Sequence, residues 1–240
     1  MDIIPFFTEA RNVLDAHHDR RERVIKVSRD ITAQSKKMVF ALHRAAQRNG
    51  TNYDEAKTKK EEIMKMFRLL ALEIDGPDYY RYSRSFAGGF EEFIEGVAFL
   101  HYLENNSLVT KSEINCLFQD EAGNQWLFVR DEDFILGIAD FTGELTRYAI
   151  NIITTGKYEQ ALKICRFLRQ INTDCDILAG STLPQLNKKM VALRSSIAKV
   201  ERACYAFQIR GSEYPKEMYH QIIREVQSRY DQERQHIGEE

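Results

Sequence analysis

Apolar residues recur every three or four positions along most of the chain, and the interruptions divide it into long helices. Residues 6–48 read as one helix, with Phe7, Val13, Leu14, Val24, Ile25, Val27, Ile31, Val39 and Leu42 on its apolar stripe. Arg20, Arg21, Arg23, Lys36 and Lys37 fall among them and read as its solvated face. Asn49-Gly50 ends that helix, and 53–74 predicts a second with Ile63, Met66, Phe67, Leu70 and Ile74 inward. Gly76-Pro77 is a turn signal, and a third helix follows over 78–104. Thr110 and Glu113 have the spacing of a capping box opening a short helix through Phe118. The stretch 119–131, with Gly123-Asn124 and the single Trp126, reads as a loop with a short strand pair around 126–129. Helices are predicted over 132–154, 158–178 and 183–208, and a tail helix lies within 215–240. There is no internal repeat and no low-complexity linker. The expectation is one all-α domain spanning 1–240.

Composition strengthens this picture. Only 4 Pro and 12 Gly occur in 240 residues, so few positions can break a helix. Hydrophobic residues are 43% and charged residues 29%, ordinary for a globular protein. The formal net charge of −2 supplies no global basic field. An RNA ligand would then need a local groove or a basic partner subunit. Cys116, Cys165, Cys175 and Cys204 form no CxxC and the six histidines no HxxxH, which argues against zinc. The cysteines read as reduced core residues. The start MDIIPFF does not read as a signal peptide. No apolar run approaches the roughly 20 residues of a membrane span. The expected compartment is cytosol or nucleus, without a choice between them, and no membrane partner is expected.

Four acids carry the candidate chemistry. Glu92 and Glu95 lie in FEEFIEGVAFL, and Asp140 and Glu144 in DFILGIADFTGEL. Members of each pair are three or four residues apart, so each pair projects from one side of its helix. On the third helix Phe86, Phe90, Phe93, Val97 and Leu100 form one apolar face. Glu92 and Glu95 lie opposite, on a stripe continuing as Phe99, Tyr102 and Leu103, while Glu91 reads as solvated. The helix over 132–154 is apolar around most of its circumference. Its polar stripe holds Asp133, Asp140, Glu144, Arg147 and Asn151. Carboxylates in apolar surroundings are costly unless paired, which leaves two readings open. Asp140, Glu144 and Arg147 form an internal ion cluster, or the acids hold a cation. Oxygen-only ligands suit Mg²⁺ or Mn²⁺, and such a site suits phosphodiester hydrolysis. Asp140 is then a metal ligand and one glutamate a general base. Glu95 stands where a di-iron bundle would place His, which disfavours iron. A helical nucleotide pyrophosphatase, using Glu91, Glu92 and Glu95, remains open on chemistry alone.

Several blocks carry a resemblance: HHDRRERVIKVSRDIT (17–32), SKKMVFALHR (35–44), EEFIEGVAF (91–99), LGIADFTGEL (136–145), FLRQ (167–170) and LRSSIAKVERACYAFQIRGSEYPKEM (193–218). They occur in the order of the translin family, and the chain resembles its translin-associated factor X (TRAX) branch over nearly its whole length. The resemblance implies a seven-helix, all-α protomer that joins translin in a closed, barrel-like hetero-oligomer. It implies a Mg²⁺-dependent endoribonuclease acting on single-stranded or nicked RNA, in passenger-strand removal during RNA silencing and in trimming of tRNA fragments. The family's catalytic acids map onto Glu92, Glu95 and Asp140, with Glu144 as a further metal ligand; translin lacks the acids matching Glu92 and Glu95. Arg81 and Arg84, interleaved with Tyr79, Tyr80 and Tyr82, align with a basic segment that translin uses for RNA, where phosphate contacts and base stacking are expected. The basic N-terminal extension of animal members, which carries nuclear targeting, has no counterpart before the first helix, so nuclear localisation stays an open expectation. A non-catalytic partner that binds RNA and stabilises translin is the alternative from the binding class.

Overall fold

The computed structural model describes residues 4–48, 52–178 and 183–210, with Glu225 and Ser228 beyond them. Seven α-helices occur among these residues: α1 (Ile4–Gln47), α2 (Asp54–Glu73), α3 (Pro77–Asn105), α4 (Lys111–Cys116), α5 (Asp131–Thr154), α6 (Tyr158–Asp176) and α7 (Pro184–Arg210). The fold is all-α, and the expected helices lie within a few residues of their predicted limits. The tail helix expected within 215–240 falls almost entirely outside the described residues. The chain folds as two compact units, Met1–Ile138 and Ala139–Glu240.

In the first unit α1 packs on α2 and α3. Its buried positions include Val24, Ser28, Ile31, Ser35, Met38 and Leu42, spaced four, three, four, three and four apart, as in a coiled-coil seam. Gly89 of α3 faces this seam, and a methyl there would lie 3.0 Å from Ser28 Oγ. The small residues let the two backbones approach closely. An aromatic cluster then ties α2 to α3 and to Phe118, two residues past the end of α4. Phe67 has ring centroids at 4.7 Å from Phe90, 5.0 Å from Phe93 and 5.1 Å from Phe118. Gly76 adopts φ +56°, a conformation L side chains rarely take, and Pro77 opens α3 at its first turn. In the second unit α6 packs on α7, with Ile164, Leu168, Leu186, Leu193 and Val200 buried.

Three expectations change. The first third of α1 is not packed: Ile4, Phe6, Phe7, Val13 and Leu14 are each more than half exposed. The stripe is helical there, but no other element among the described residues covers it. The strand pair around 126–129 does not form, and the only bridge among the described residues joins Gln119 and Gln125. The Asn115 side chain of α4 and the Phe118 carbonyl just past that helix take backbone groups that a second strand would have used. Val129 N–H donates to Asn115 Oδ1 at 3.0 Å, and Trp126 N–H to the Phe118 carbonyl at 3.0 Å. Cys116 is exposed rather than part of the core. Buried Cys204 conforms to expectation, and burial pushes its thiol up to about 11, away from thiolate chemistry. The capping box is present: Thr110 Oγ1 accepts from Glu113 N–H, and the Glu113 carboxylate accepts from Thr110 N–H.

Candidate acidic site

Helix α3 is buried on two faces. Phe86, Phe90 and Phe93 are fully buried on one, and Phe99 on the other. Glu91, Glu92 and Glu95 occupy the intermediate strip between them and are half-buried. Glu91 is therefore less solvated than its wheel position suggests. Glu92 accepts an ion pair from Lys36 of α1 at 3.1 Å, with 24% of the Glu92 side chain exposed. Lys36 thus reaches across from the face of α1 that reads as solvated. The α3 acids sit one helical turn apart on a partly desolvated strip.

Helix α5 buries most of its circumference, as its composition requires: Leu136, Ile138, Phe141, Leu145, Ala149 and Ile152 are all core residues. Its polar residues divide into three settings. Asp133 is 1% exposed and held in a two-pronged ion pair by Arg130, at 2.9 and 2.5 Å. Burial outweighs the neighbouring guanidinium and leaves this carboxyl above the ordinary aspartate range. Glu144 pairs with Arg147 at 3.6 Å, as in the internal ion-cluster reading. Asp140 does not join that pair; its Oδ2 accepts from Lys189 Nζ of α7 at 2.6 Å. Asp140 and Glu144 are part-exposed, at 35% and 24% of their side chains.

Among the described residues, no three His, Cys, Asp or Glu side chains gather into a group that could hold a metal ion. The acids stand as two pairs, one on α3 and one on α5. The donor chemistry nonetheless fits a hard cation. Mg²⁺ is typically held by one or two carboxylates, with water and substrate phosphate completing its shell. Each pair offers half-buried oxygen ligands, and in each an ammonium already lies against a carboxylate oxygen. Neither lysine is signalled by its sequence context. Lys36 reads as a solvated residue of α1, and Lys189 lies among ordinary polar positions of α7.

The RNA-contact candidates fare differently. Arg81 and Arg84 are exposed. Arg81 lies 2.8 Å from His17 Nε2 and 3.3 Å from an Asp78 carboxylate oxygen. Tyr79 and Tyr82 are buried, at 4% exposure each. Tyr79 donates its hydroxyl to the Phe128 carbonyl at 2.7 Å, and the Tyr82 hydroxyl lies 2.7 Å from His17 Nδ1. Neither ring face is available for stacking on a base. Of the three tyrosines only Tyr80 is exposed, because α3 turns the other two toward the core.

Paired, half-buried carboxylates on α3 and on α5 mark the candidate acidic positions of an all-α protein. The translin family model matches residues 19–211, and the chain belongs to the translin family. It is 34% identical to Translin-associated protein X of Pongo abelii, over 95% of this chain and 86% of that one. It is 26% identical to Translin of Cricetulus griseus, over 88% of this chain and 95% of that one. Among solved structures, apo-NeC3PO superposes with a TM-score of 0.67 at 18% identity, covering 83% of this chain and 96% of that one. AfC3PO in complex with duplex RNA gives 0.66 at 19% identity, covering 87% and 99%. These likenesses establish the translin-type helical fold.

Proposed function

We propose that the protein is a Mg²⁺-dependent endoribonuclease subunit that acts with translin on single-stranded or nicked RNA. The observation carrying this reading is the two half-buried carboxylate pairs, Glu92 with Glu95 and Asp140 with Glu144, each with an ammonium against one member. The names of the Translin-associated protein X relatives support translin as partner, and the RNA complex of AfC3PO supports RNA as ligand. Glu92 and Glu95 on α3, and Asp140 and Glu144 on α5, would each offer carboxylate oxygens to a metal ion. Bound Mg²⁺ supplies charge stabilisation at the phosphoryl oxygens and a more acidic water. A glutamate of α3 would serve as the base, its carboxylate orienting a water for attack and accepting its proton. Attack of water on the phosphodiester leaves a 3′-hydroxyl and a 5′-phosphate. The same RNA chemistry would serve passenger-strand removal and tRNA-fragment trimming. The proposed compartment is the cytoplasm, and the nucleus as well where a partner or targeting segment takes the complex there.

The test is cleavage of a labelled single-stranded RNA by the complex coexpressed with translin, comparing wild type with Glu92→Ala and Asp140→Ala. Several kcal/mol of transition-state stabilisation from the metal corresponds to a loss of about 100-fold or more. Loss of cleavage in an assembled complex supports the reading. Unchanged cleavage would overturn it and leave the chain an RNA-binding and stabilising partner. Cyclic 2′,3′-phosphate ends alone would contradict the water-attack mechanism.

A further inference from the structure

In each acid pair a carboxylate forms an ion pair with a lysine from a different helix of its own unit. Lys189 Nζ of α7 lies 2.6 Å from Asp140 Oδ2, with 23% of the lysine side chain exposed. Lys36 Nζ of α1 lies 3.1 Å from Glu92 Oε1, with 56% exposed. We infer that Lys189 and Lys36 are displaceable counter-ions that leave the carboxylates when metal binds and then contact RNA phosphate. The inference rests on the metal-site reading above and adds two residues to it.

Two carboxylates a turn apart on a half-buried strip repel each other. An ammonium at hydrogen-bond distance from one of them offsets that repulsion. A divalent cation on the same carboxylate changes the balance. A +2 and a +1 charge repel twice as strongly as two unit charges at the same distance, and the ammonium competes for the oxygen lone pairs the metal needs. The lysine stem has four methylenes, so Nζ can leave the carboxylate while its aliphatic part stays packed. A phosphate drawn to the metal then offers a charged acceptor to the ammonium donors.

Such a lysine acts twice, with opposite signs. Without RNA it weakens metal binding, because metal must displace it. With metal present it strengthens RNA binding, because it has been released beside the phosphate. Metal and RNA binding thereby become positively coupled, and the coupling is reciprocal. Lys189 is the more enclosed of the two and is expected to carry the larger effect. A lysine that serves only to brace the fold would produce no such opposed pair of effects.

The experiment uses the complex coexpressed with translin and has two readouts besides turnover. Mn²⁺ binding is measured by electron paramagnetic resonance, and binding of a slowly cleaved phosphorothioate RNA by fluorescence anisotropy across a salt series. Lys189→Met and Lys36→Met are expected to tighten Mn²⁺ binding without RNA by about two- to five-fold, the range of a part-exposed ion pair. With Mn²⁺ present they should weaken RNA binding, with the salt slope reduced by about 1 for each lysine lost. Lys189→Arg keeps the positive charge and should restore most of the RNA affinity, which also separates the effect from misfolding. Unchanged or weaker Mn²⁺ binding in the Met variants would overturn the inference, as would RNA binding with an unchanged salt slope. If Mn²⁺ binding to wild type is absent, or equal to that of Glu92→Ala and Asp140→Ala, the metal-site reading fails and this inference fails with it. Mn²⁺ bound by those acids but insensitive to both lysines overturns the inference alone.

Discussion

Gly137 and Gly143 lie on the same helix, α5, in opposite surroundings, and replacing each by alanine separates two terms that usually act together. A methyl at Gly137 would lie 2.8 Å from both Cβ and Cγ2 of Ile94 and 2.9 Å from the Glu91 carbonyl oxygen. Carbon atoms in good contact sit about 3.5–4.0 Å apart, so the overlap approaches an ångström. Neither neighbour can swing aside. Ile94 Cβ is fixed to the α3 backbone and a β-branched residue in a helix has one strongly preferred χ1. The Glu91 carbonyl belongs to the α3 hydrogen-bond ladder. At Gly143 no described atom beyond its own helix backbone and chain neighbours lies within 4 Å of the added methyl.

Alanine is favoured over glycine in a helix interior by about 0.8–1.0 kcal/mol. Gly143→Ala should gain most of that, about 0.5–1 kcal/mol. Gly137→Ala gains the same propensity but meets an overpacking cost of about 1–3 kcal/mol. Neighbours that cannot relax place it in the upper half of that range, for a net loss of about 1–2 kcal/mol. With about 2–4 °C per kcal/mol for a protein of this size, the melting temperatures of the two variants should differ by about 3–12 °C. Thermal unfolding followed by far-UV circular dichroism measures this directly. A Gly137→Ala variant as stable as Gly143→Ala would refute the close approach of the start of α5 to α3.

Three further outcomes follow from other contacts. Arg130→Met leaves the buried Asp133 carboxyl without its guanidinium partner, and should cost about 3–5 kcal/mol in urea unfolding; Arg130→Met combined with Asp133→Leu should recover much of it, and a double variant as weak as the single would count against the pairing. Glu73 is held below the ordinary glutamate range by the side-chain hydrogen bond from Arg23, against an opposing burial effect. A lowered folded value means this stabilisation is present above the unfolded value of 4.5 and is lost as pH falls through the folded one. Arg23→Gln should therefore lower the melting temperature at pH near 7 and have little effect at about pH 3, and an equal loss at both would contradict the sign. The chain purified alone should self-associate through the exposed Phe6, Phe7, Val13 and Leu14 of α1. Light scattering should show this reduced by Phe6→Ser with Phe7→Ser or by coexpressed translin, and a monodisperse monomer of the unmodified chain would contradict it.

The helices were legible because their signal is local. A period of 3.6, few glycines and prolines, and the Thr110–Glu113 capping box depend only on residues near one another in the chain. What escaped depends on distant partners. Phe7, Val13 and Leu14 obey the same periodicity as Val24 and Ile31, and periodicity does not say whether another helix lies against it. Ser28 and Ser35 complete the buried seam of α1, yet small hydroxyl residues score as polar and hide a position where backbones meet. Likewise Val129 looked like strand because it is β-branched among apolar neighbours, while its actual N–H acceptor is the side chain of Asn115, fourteen residues earlier.

The same division runs through the candidate site. A carboxylate in an apolar stretch announces itself, because its isolation from water must be compensated by something; Glu92, Glu95, Asp140 and Glu144 all stood out on that ground. The compensating group carries no matching signal. Lysine is tolerated on almost any exposed helix face, so neither Lys36 nor Lys189 differs in sequence from the other lysines of α1 and α7. Only their positions in space, 3.1 Å from Glu92 and 2.6 Å from Asp140, distinguish them. Tyrosine misled in the opposite direction. The run from Tyr79 to Tyr82 looked like a stacking platform, but residues three apart on α3 share a face, and here that face is the buried one. Among these three tyrosines the exposed ring is Tyr80's, and Arg81 and Arg84 are exposed on the same helix. Any RNA path along this segment should accordingly depend on salt far more than on base identity.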